Sequence, residues 1–315
     1  MNNKIKIAFI GAGNMSYEHI RSFADISNVE LSGIYSRTFN KAKKLALDFS
    51  IKYVAHSIKD LYEETKADAV IVSVPELSTK LVCYEAFKFP WYSLIEKPAG
   101  ININEANEIL SYSRLNNHRS FVALNRRQYS SNSLVLSDLK AHTGKRLVHV
   151  YDQENPSEAR ESGQPQDVVD NWMYANSIHM VDYFRQYCRG DLLGIDKISD
   201  WEPNKPCFVL SRLRYSSGDI GFYEAIWEGP GPWGVTVNTQ SRRWEMRPLE
   251  KAIFQDVRSR KLNNIDTDVW DQRFKPGLRR QADELIKAVR GKIHNLVSIE
   301  SSLESMKIVR IIYGR

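Results

Sequence analysis

Three groups of residues in this chain have types and spacings that could do chemistry. Near the start, Lys4-Ile5-Lys6-Ile7-Ala8-Phe9-Ile10 runs straight into Gly11-Ala12-Gly13-Asn14-Met15-Ser16, then into a helical segment from about Tyr17 to Ala24. An alternating strand, a Gly-x-Gly turn and an immediate helix form the geometry that seats a dinucleotide pyrophosphate. Gly11 permits the tight turn and Gly13 lets the backbone approach the phosphates. The helix start adds N–H groups and the positive end of its dipole. Asn14 and Met15 join the glycines in this cofactor-binding set, and Ser16 stands where a third small residue lets helix and strand pack closely. A strand–turn–helix without a ligand would look the same, so the other two groups matter.

The second group lies where the second strand should end. In such a domain that position reads the adenosine ribose, and an acid there would hydrogen-bond a free 2′-hydroxyl. This chain has Ser36-Arg37-Thr38 instead, with Lys41 a turn further on. An arginine fork beside two hydroxyls suits a phosphomonoester. NADP(H) is therefore favoured over NAD(H); an exposed Arg37 in an enzyme accepting both cofactors is the other reading.

The third group is Ser93-Leu94-Ile95-Glu96-Lys97-Pro98-Ala99-Gly100, expected at the end of the fifth strand. Ligands of open α/β sheets sit beyond the carboxyl ends of the strands. A cation such as Lys97 there could polarise a hydroxyl or carbonyl oxygen and disperse developing alkoxide charge. A surface ion pair between Lys97 and Glu96 is the alternative.

Two kinds of element must position these groups. Over the first ~120 residues, strand candidates Lys4–Ile10, Val29–Ser36, Ala69–Val74, Trp91–Glu96 and Ser120–Asn125 alternate with helices Ser16–Ala24, Asn40–Phe49, Ile58–Thr65, Ser78–Phe87 and Asn104–Leu115. Short apolar runs such as Ala69-Val70-Ile71-Val72 suit strands buried on both faces of a parallel sheet. After Arg127 extended segments follow one another: Arg146–Asp152, Cys207–Tyr215, Gly221–Trp227, Trp233–Asn238 and Ser241–Met246. Turns such as Ser216-Ser217-Gly218-Asp219 separate them, which predicts an antiparallel sheet. Helices are expected over Val168 to about Arg189, Pro276–Arg290 and Ile299–Tyr313. The fold class is α/β: a Rossmann-type doubly wound domain over 1–124, then an α/β domain over 125–315. The last helix, 299–313, is expected to pack back on the first domain.

Composition narrows the function. At 315 residues the chain can hold two domains with separate cores. No apolar run reaches the ~18 residues a bilayer span needs, and Met1-Asn2-Asn3-Lys4 leads directly into the first strand, which predicts no secretory leader. Cys83, Cys188 and Cys207 lack metal-ligand spacing, so reduced thiols in a cytoplasm and no metal site are expected. The net charge is +6, yet its basic clusters are scattered and mixed with acids. That argues against nucleic acid and weakly favours an anionic small ligand.

Glu96-Lys97-Pro98, with Asn125-Arg126-Arg127 expected to end the sixth strand, resembles the glucose–fructose oxidoreductase / inositol dehydrogenase / rhizopine-catabolism (Gfo/Idh/MocA) family of NAD(P)-dependent oxidoreductases. His19, Pro75 and the helix Ser302–Tyr313 also fall where that family has equivalents, so the likeness covers nearly the whole chain. The resemblance implies a second domain whose open, mainly antiparallel sheet forms the oligomer interface of a homodimer or homotetramer. It adds Pro75 and Glu96 to the cofactor-binding residues, and implies a cis Lys97–Pro98 peptide aiming Lys97 at the nicotinamide.

The resemblance also places the rest of the site at Trp172-Met173-Tyr174-Ala175-Asn176-Ser177-Ile178-His179-Met180-Val181-Asp182. The family pattern there is Asp-x-Gly-x-His. His179 matches its histidine, and an imidazole, which ordinarily titrates near neutrality, could take or return a hydroxyl proton. Ala175 stands for the aspartate and Ser177 for the glycine, and the upstream Gly-Gly-Gly turn is missing. Asn176, at i−3, could orient the ring by hydrogen bond, and Asp182 is implied to be structural. Arg127 could bind a substrate carboxylate or phosphate, or form a domain-interface ion pair. Trp172 and Tyr174 could flank the nicotinamide or a sugar ring, and Gly229-Pro230-Gly231-Pro232-Trp233 could rim the pocket.

The expected activity moves a hydride between nicotinamide and a secondary alcohol or ketone of a sugar, cyclitol or sugar nucleotide. Lys97 and His179 are the catalytic candidates; Arg127, Trp172, Asn176 and His179 are the substrate-binding ones. Two alternatives stand beside it: a retained-cofactor glycosidase or epimerase, and a catalytically silent NAD(P)-binding regulatory protein, which Ala175 keeps in play.

Overall fold

The run Ala69-Val70-Ile71-Val72 is a strand buried on both faces in the computed structural model, which describes residues 4–203, 205, 207–231 and 233–315. Pro232 of the turn singled out above lies outside the described residues. Contacts divide the chain into two units. One runs to Asn125 and resumes over Gln272–Leu303; the other comprises Arg126–Asp271 and Glu304–Arg315.

In the first unit, β1 (Ile5–Ile10), β2 (Val29–Tyr35), β3 (Val54–Ala55), β4 (Ala69–Val72), β5 (Tyr92–Ile95) and β6 (Ser120–Val122) form a parallel sheet in the order β3-β2-β1-β4-β5-β6. Val297–Ser298 adds an antiparallel strand outside β6. Strand order reverses between β1 and β4, the point at which open α/β sheets leave a crevice at their carboxyl edge. The connecting helices are α1 (Asn14–Ala24), α2 (Phe39–Phe49), α3 (Ile58–Thr65), α4 (Glu76–Ala86) and α5 (Ile103–Leu115). Side chains start two of them. Ser57 Oγ accepts the Asp60 N–H for α3, and Asn102 Oδ1 accepts those of Asn104 and Glu105 for α5.

The core of this unit joins Ile7, Phe9, Ile34, Ile71 and Leu94 of the strands to Ile20 and Phe23 of α1. Ala282, Leu285 and Ile286 of the helix Leu278–Val289 complete it. Residues 272–303, expected in the second domain, thus lie with the first, because this helix carries an apolar stripe that the sheet's core buries. Two further differences concern strands. β3 has only two residues, too few to alternate, and was not foreseen. Asn125-Arg126-Arg127 does not end β6; it sits in a 3₁₀ turn, Asn125–Gln128.

The second unit holds β7 (Leu147–Glu154), β8 (Leu192–Ser199), β9 (Phe208–Tyr215), β10 (Ile220–Trp227), β11 (Gly234–Asn238), β12 (Arg242–Met246), β13 (Ala252–Asp256) and β14 (Asn263–Ile265). The sheet order is β14-β13-β12-β11-β7-β10-β9-β8, antiparallel except where β7 and β10 run parallel. Strands alternate: Val148, Val150, Asp152 and Glu154 of β7 are buried while Leu147 is exposed. The helices are α6 (Ser130–Leu139), α7 (Pro156–Glu161), α8 (Gln166–Asp170) and α9 (Ile178–Tyr187). Gly221 has no side chain where α9 crosses β10, since an added Cβ would lie 2.7 Å from Phe184 Cε1.

The single helix expected over Val168 to about Arg189 is broken. Asn171 bonds the Asp167 carbonyl through its amide, ending α8. A π turn over Met173–Ser177 then precedes α9. Among the described residues no helix is long and apolar enough to cross a membrane.

Leu285 is fully buried at the joint of the returning helix and the first sheet. Leu285→Ala is expected to lower stability by about 2–5 kcal/mol, measured by denaturant unfolding of the whole chain.

Candidate active site

The glycine turn leaves β1 at the carboxyl edge. Gly11 has φ +116, and an added Cβ would stand 1.8 Å from the Ser73 carbonyl oxygen after β4. Only glycine fits there. Its N–H donates to the Tyr35 carbonyl at 2.8 Å, and Ser16 Oγ lies 3.3 Å from the same Ser73 oxygen. Ser16 therefore serves the close packing expected of it. Gly13 differs: its φ is −92 and an added Cβ would meet nothing within 4 Å. Open space lies above it, and α1 starts at Asn14 with no side-chain cap and no acid in its first turn. An open glycine before an uncapped helix start fits a dinucleotide pyrophosphate.

At the end of β2, Ser36 Oγ accepts the Thr38 N–H at 3.3 Å, and the Arg37 side chain is exposed. Beside them the Phe39 and His56 rings stack at 4.9 Å with 3° between planes. No local pattern pairs these two rings, because fold topology alone brings β3's end to α2. Pro75 starts α4, two residues beyond Ser73.

The Lys97–Pro98 peptide at the end of β5 is cis. Glu96, expected among the cofactor-binding residues, has a carboxylate oxygen 2.7 Å from His19 Nε2 of α1. Its other oxygen accepts the Lys97 N–H at 3.2 Å. Burial works to raise the Glu96 pKa, but the His19 hydrogen bond and charge, with Lys97 nearby, outweigh it and hold the carboxyl below its usual value.

In the second unit Arg127 is bidentate to Asp182, Nε and Nη2 each 2.6 Å from a carboxylate oxygen. Ser305 Oγ also donates to Asp182 at 2.6 Å. Arg127 thus forms an ion pair within the second unit rather than the domain-interface pair that was the alternative reading, and Asp182 is buried. Arg126 lies over the Trp233 ring at 4.2 Å.

His179 is buried on the first turn of α9, its ring 6.5 Å from that of Trp233. Trp172 holds a buried indole N–H with no hydrogen-bond partner among the described residues. Tyr174, considered for flanking a ligand, is fully buried and donates to the Arg315 carbonyl at 2.6 Å. Asn176 was expected to orient His179; its amide donates to Glu154 Oε2 at 2.9 Å, and Ser177 Oγ donates to Oε1 at 2.8 Å.

Asp152 and Glu154 are the residues that sequence reasoning missed. They are 3% and 0% exposed on one face of β7, close enough for their carboxyls to influence each other. Tyr223 OH donates to Asp152 at 2.5 Å, and Tyr313 OH lies 2.7 Å from Tyr223 OH. Burial, then the neighbouring Asp152 charge, pushes the Glu154 carboxyl well above its usual range, and burial raises Asp152 as well. Their i, i+2 spacing on an alternating strand was the available signal.

The first unit has the topology of a Rossmann-type domain, and the second is built on its own sheet. Residues 5–124 match the GFO_IDH_MocA family, described as an oxidoreductase family with an NAD-binding Rossmann fold. That segment is similar to the family that the Glu-Lys-Pro motif resembles. A 4-carboxy-2-hydroxymuconate-6-semialdehyde dehydrogenase of Sphingobium sp. is 23% identical over 301 residues, 91% of this chain and 90% of the relative. A scyllo-inositol 2-dehydrogenase (NADP(+)) of Bacillus subtilis is 29% identical over 36% of this chain and 34% of its own. A solved dehydrogenase from Chromobacterium violaceum shares the fold with a TM-score of 0.84 at 15% identity, covering 98% of this chain and 94% of that one.

Two predictions follow from this geometry. Gly11→Ala is expected to cost at least about 2 kcal/mol of stability, whereas Gly13→Ala leaves the melting temperature unchanged and weakens nicotinamide nucleotide binding about tenfold; calorimetry on both variants checks the contrast. Because the folded Glu96 pKa is depressed, its stabilisation is present above the ordinary carboxylate value and lost as pH falls through the folded one. Glu96→Gln is thus expected to lose about 1–3 kcal/mol at neutral pH, with the gap to wild type closing in acid, as read from denaturation at several pH values.

Proposed function

We propose that this chain is an NAD(P)-dependent oxidoreductase acting on a secondary alcohol or ketone of a sugar, cyclitol or sugar nucleotide, with NADP(H) preferred. The observation that carries the reading is the open Gly13 before an uncapped α1, on the same sheet edge as Glu96-Lys97-Pro98. A bound nicotinamide supplies the hydride chemistry. Gly11, Gly13, Asn14 and Met15 would hold its pyrophosphate and Ser36, Arg37 and Thr38 its ribose phosphate, with Pro75 bordering the same crevice. The relative from Bacillus subtilis, named for NADP(+), supports that preference.

Lys97 is assigned to the reacting oxygen, where a cation stabilises alkoxide charge. His179 takes or returns the hydroxyl proton. Trp172 offers its unpartnered indole N–H to the substrate, while Arg127 and Asn176 act through Asp182 and Glu154. The surplus of basic residues favours an anionic substrate. Exposed Leu147, Phe208 and Ile220 on the sheet of the second unit support a homodimer or homotetramer through that sheet. Three free thiols support a cytoplasmic setting.

Calorimetry should show NADPH binding tighter than NADH, with Arg37→Ala weakening NADPH about tenfold and leaving NADH unchanged. On the best substrate from a sugar and cyclitol panel, Lys97→Ala should slow turnover roughly a hundredfold or more, and His179→Ala about 10²–10⁴-fold. A chain that binds neither nucleotide overturns the reading. Binding without turnover across the panel supports the silent regulator, and turnover without net NADPH change supports the retained-cofactor enzyme.

A further inference from the structure

The inner face of β7 begins as ordinary core, with Val148 and Val150, and ends in two buried acids. Two ionised carboxylates there would lack compensation. Their hydrogen-bond donors are Tyr223 of β10, Asn176 and Ser177 of the π turn and the Gln153 amide, all neutral, with Tyr313 of the last helix against Tyr223. The desolvation penalty of a second bare charge is several kcal/mol. A proton held between the two buried acids removes it.

Glu154 spans the two residues that immediately precede α9. One oxygen takes the Asn176 amide, the other the Ser177 hydroxyl. Between Met173 and Ile178 the chain closes an i→i+5 bond, the Ile178 N–H on the Met173 carbonyl. A π turn inserts one residue into the helical count, and such turns are short, rare and frequent at functional sites. Each residue advances a helix by roughly 100°. If the turn relaxed to α-helical spacing, every later side chain, His179 included, would swing by about that angle or slip by one residue.

We propose that Glu154, sharing one proton with Asp152, is the positioning residue for His179: it clamps the π turn through Asn176 and Ser177 and thereby fixes the face on which the imidazole emerges. The pair takes an orienting role from a strand that packs under the helix, where a local i−4 acid is absent because position 175 is alanine. The inference rests on His179 being the proton-handling group of the reaction proposed above.

The test uses the full-length, substrate-free protein. Infrared spectra of wild type at neutral pH should contain the carbonyl stretch of a neutral carboxylic acid, lost in Glu154→Gln and in Asp152→Asn. Its absence from wild type, or its persistence in both variants, overturns the shared proton. The ring resonances of His179, assigned with His179→Asn, should move and change their titration midpoint in Glu154→Ala and in Asn176→Ala/Ser177→Ala, and move less in Glu154→Gln. The double variant leaves both acids in place, so a Glu154→Ala chain that fails to fold does not end the test. His179 signals unmoved in a folded clamp variant overturn the positioning role. With a turned-over substrate, Glu154→Ala should lower kcat about a hundredfold, the cost of a small misplacement, with KM and NADPH affinity unchanged. The spectroscopic outcomes require neither nucleotide nor sugar, so their failure is separate from failure of the oxidoreductase reading.

Discussion

One hydrogen bond ties the carboxyl-edge features of the first unit together: His19 Nε2 on Glu96, at 2.7 Å. His19 belongs to α1, whose start is the open cradle, and Glu96 immediately precedes Lys97. A helix and a loop that follow different strands are thereby held to one another by a buried polar contact, where misalignment would leave both groups unsolvated. Glu96 also receives the Lys97 amide, so the backbone of the proposed catalytic residue is fixed at its own nitrogen.

The first sheet was legible in the sequence because its elements obey single rules. Ala69-Val70-Ile71-Val72 is apolar throughout since both faces are covered. Gly11 is needed since a carbonyl stands where any side chain would go. What escaped notice was governed by distant partners. β3 is two residues long, and the stacking of Phe39 on His56 depends on topology rather than on local pattern. The helix after Val168 was read as continuous because its apolar spacing is continuous. Asn171 and the π turn break it through side-chain and main-chain bonds that spacing does not encode.

The second unit shows the same limit in its polar residues. Arg127 was legible as a cation near the site, while its partner Asp182 lies 55 positions away. Asn176 was legible as a donor, and its acceptor turned out to sit on a strand 22 residues upstream. A single sequence discloses which groups demand partners, since buried charge and unpaired amides are costly. It discloses the choice of partner only when the two are neighbours on one element. β8, at the sheet edge and half exposed, escaped for a related reason: its Leu-Leu-Gly-Ile-Asp-Lys-Ile-Ser lacks the alternation that one-sided burial imposes.

The helix Leu278–Val289 has a consequence for how the molecule comes into being. Its Ala282, Leu285 and Ile286 fill a core whose other members are nearly all made before Asn125. During synthesis the nascent Rossmann sheet must therefore wait, with an apolar groove uncovered, while the intervening unit leaves the ribosome. Long-range closure of this kind is slow and leaves sticky surface in the interim. A fragment ending near Asn125 would inherit that groove for good, so the N-terminal sheet of this protein should prove hard to isolate on its own.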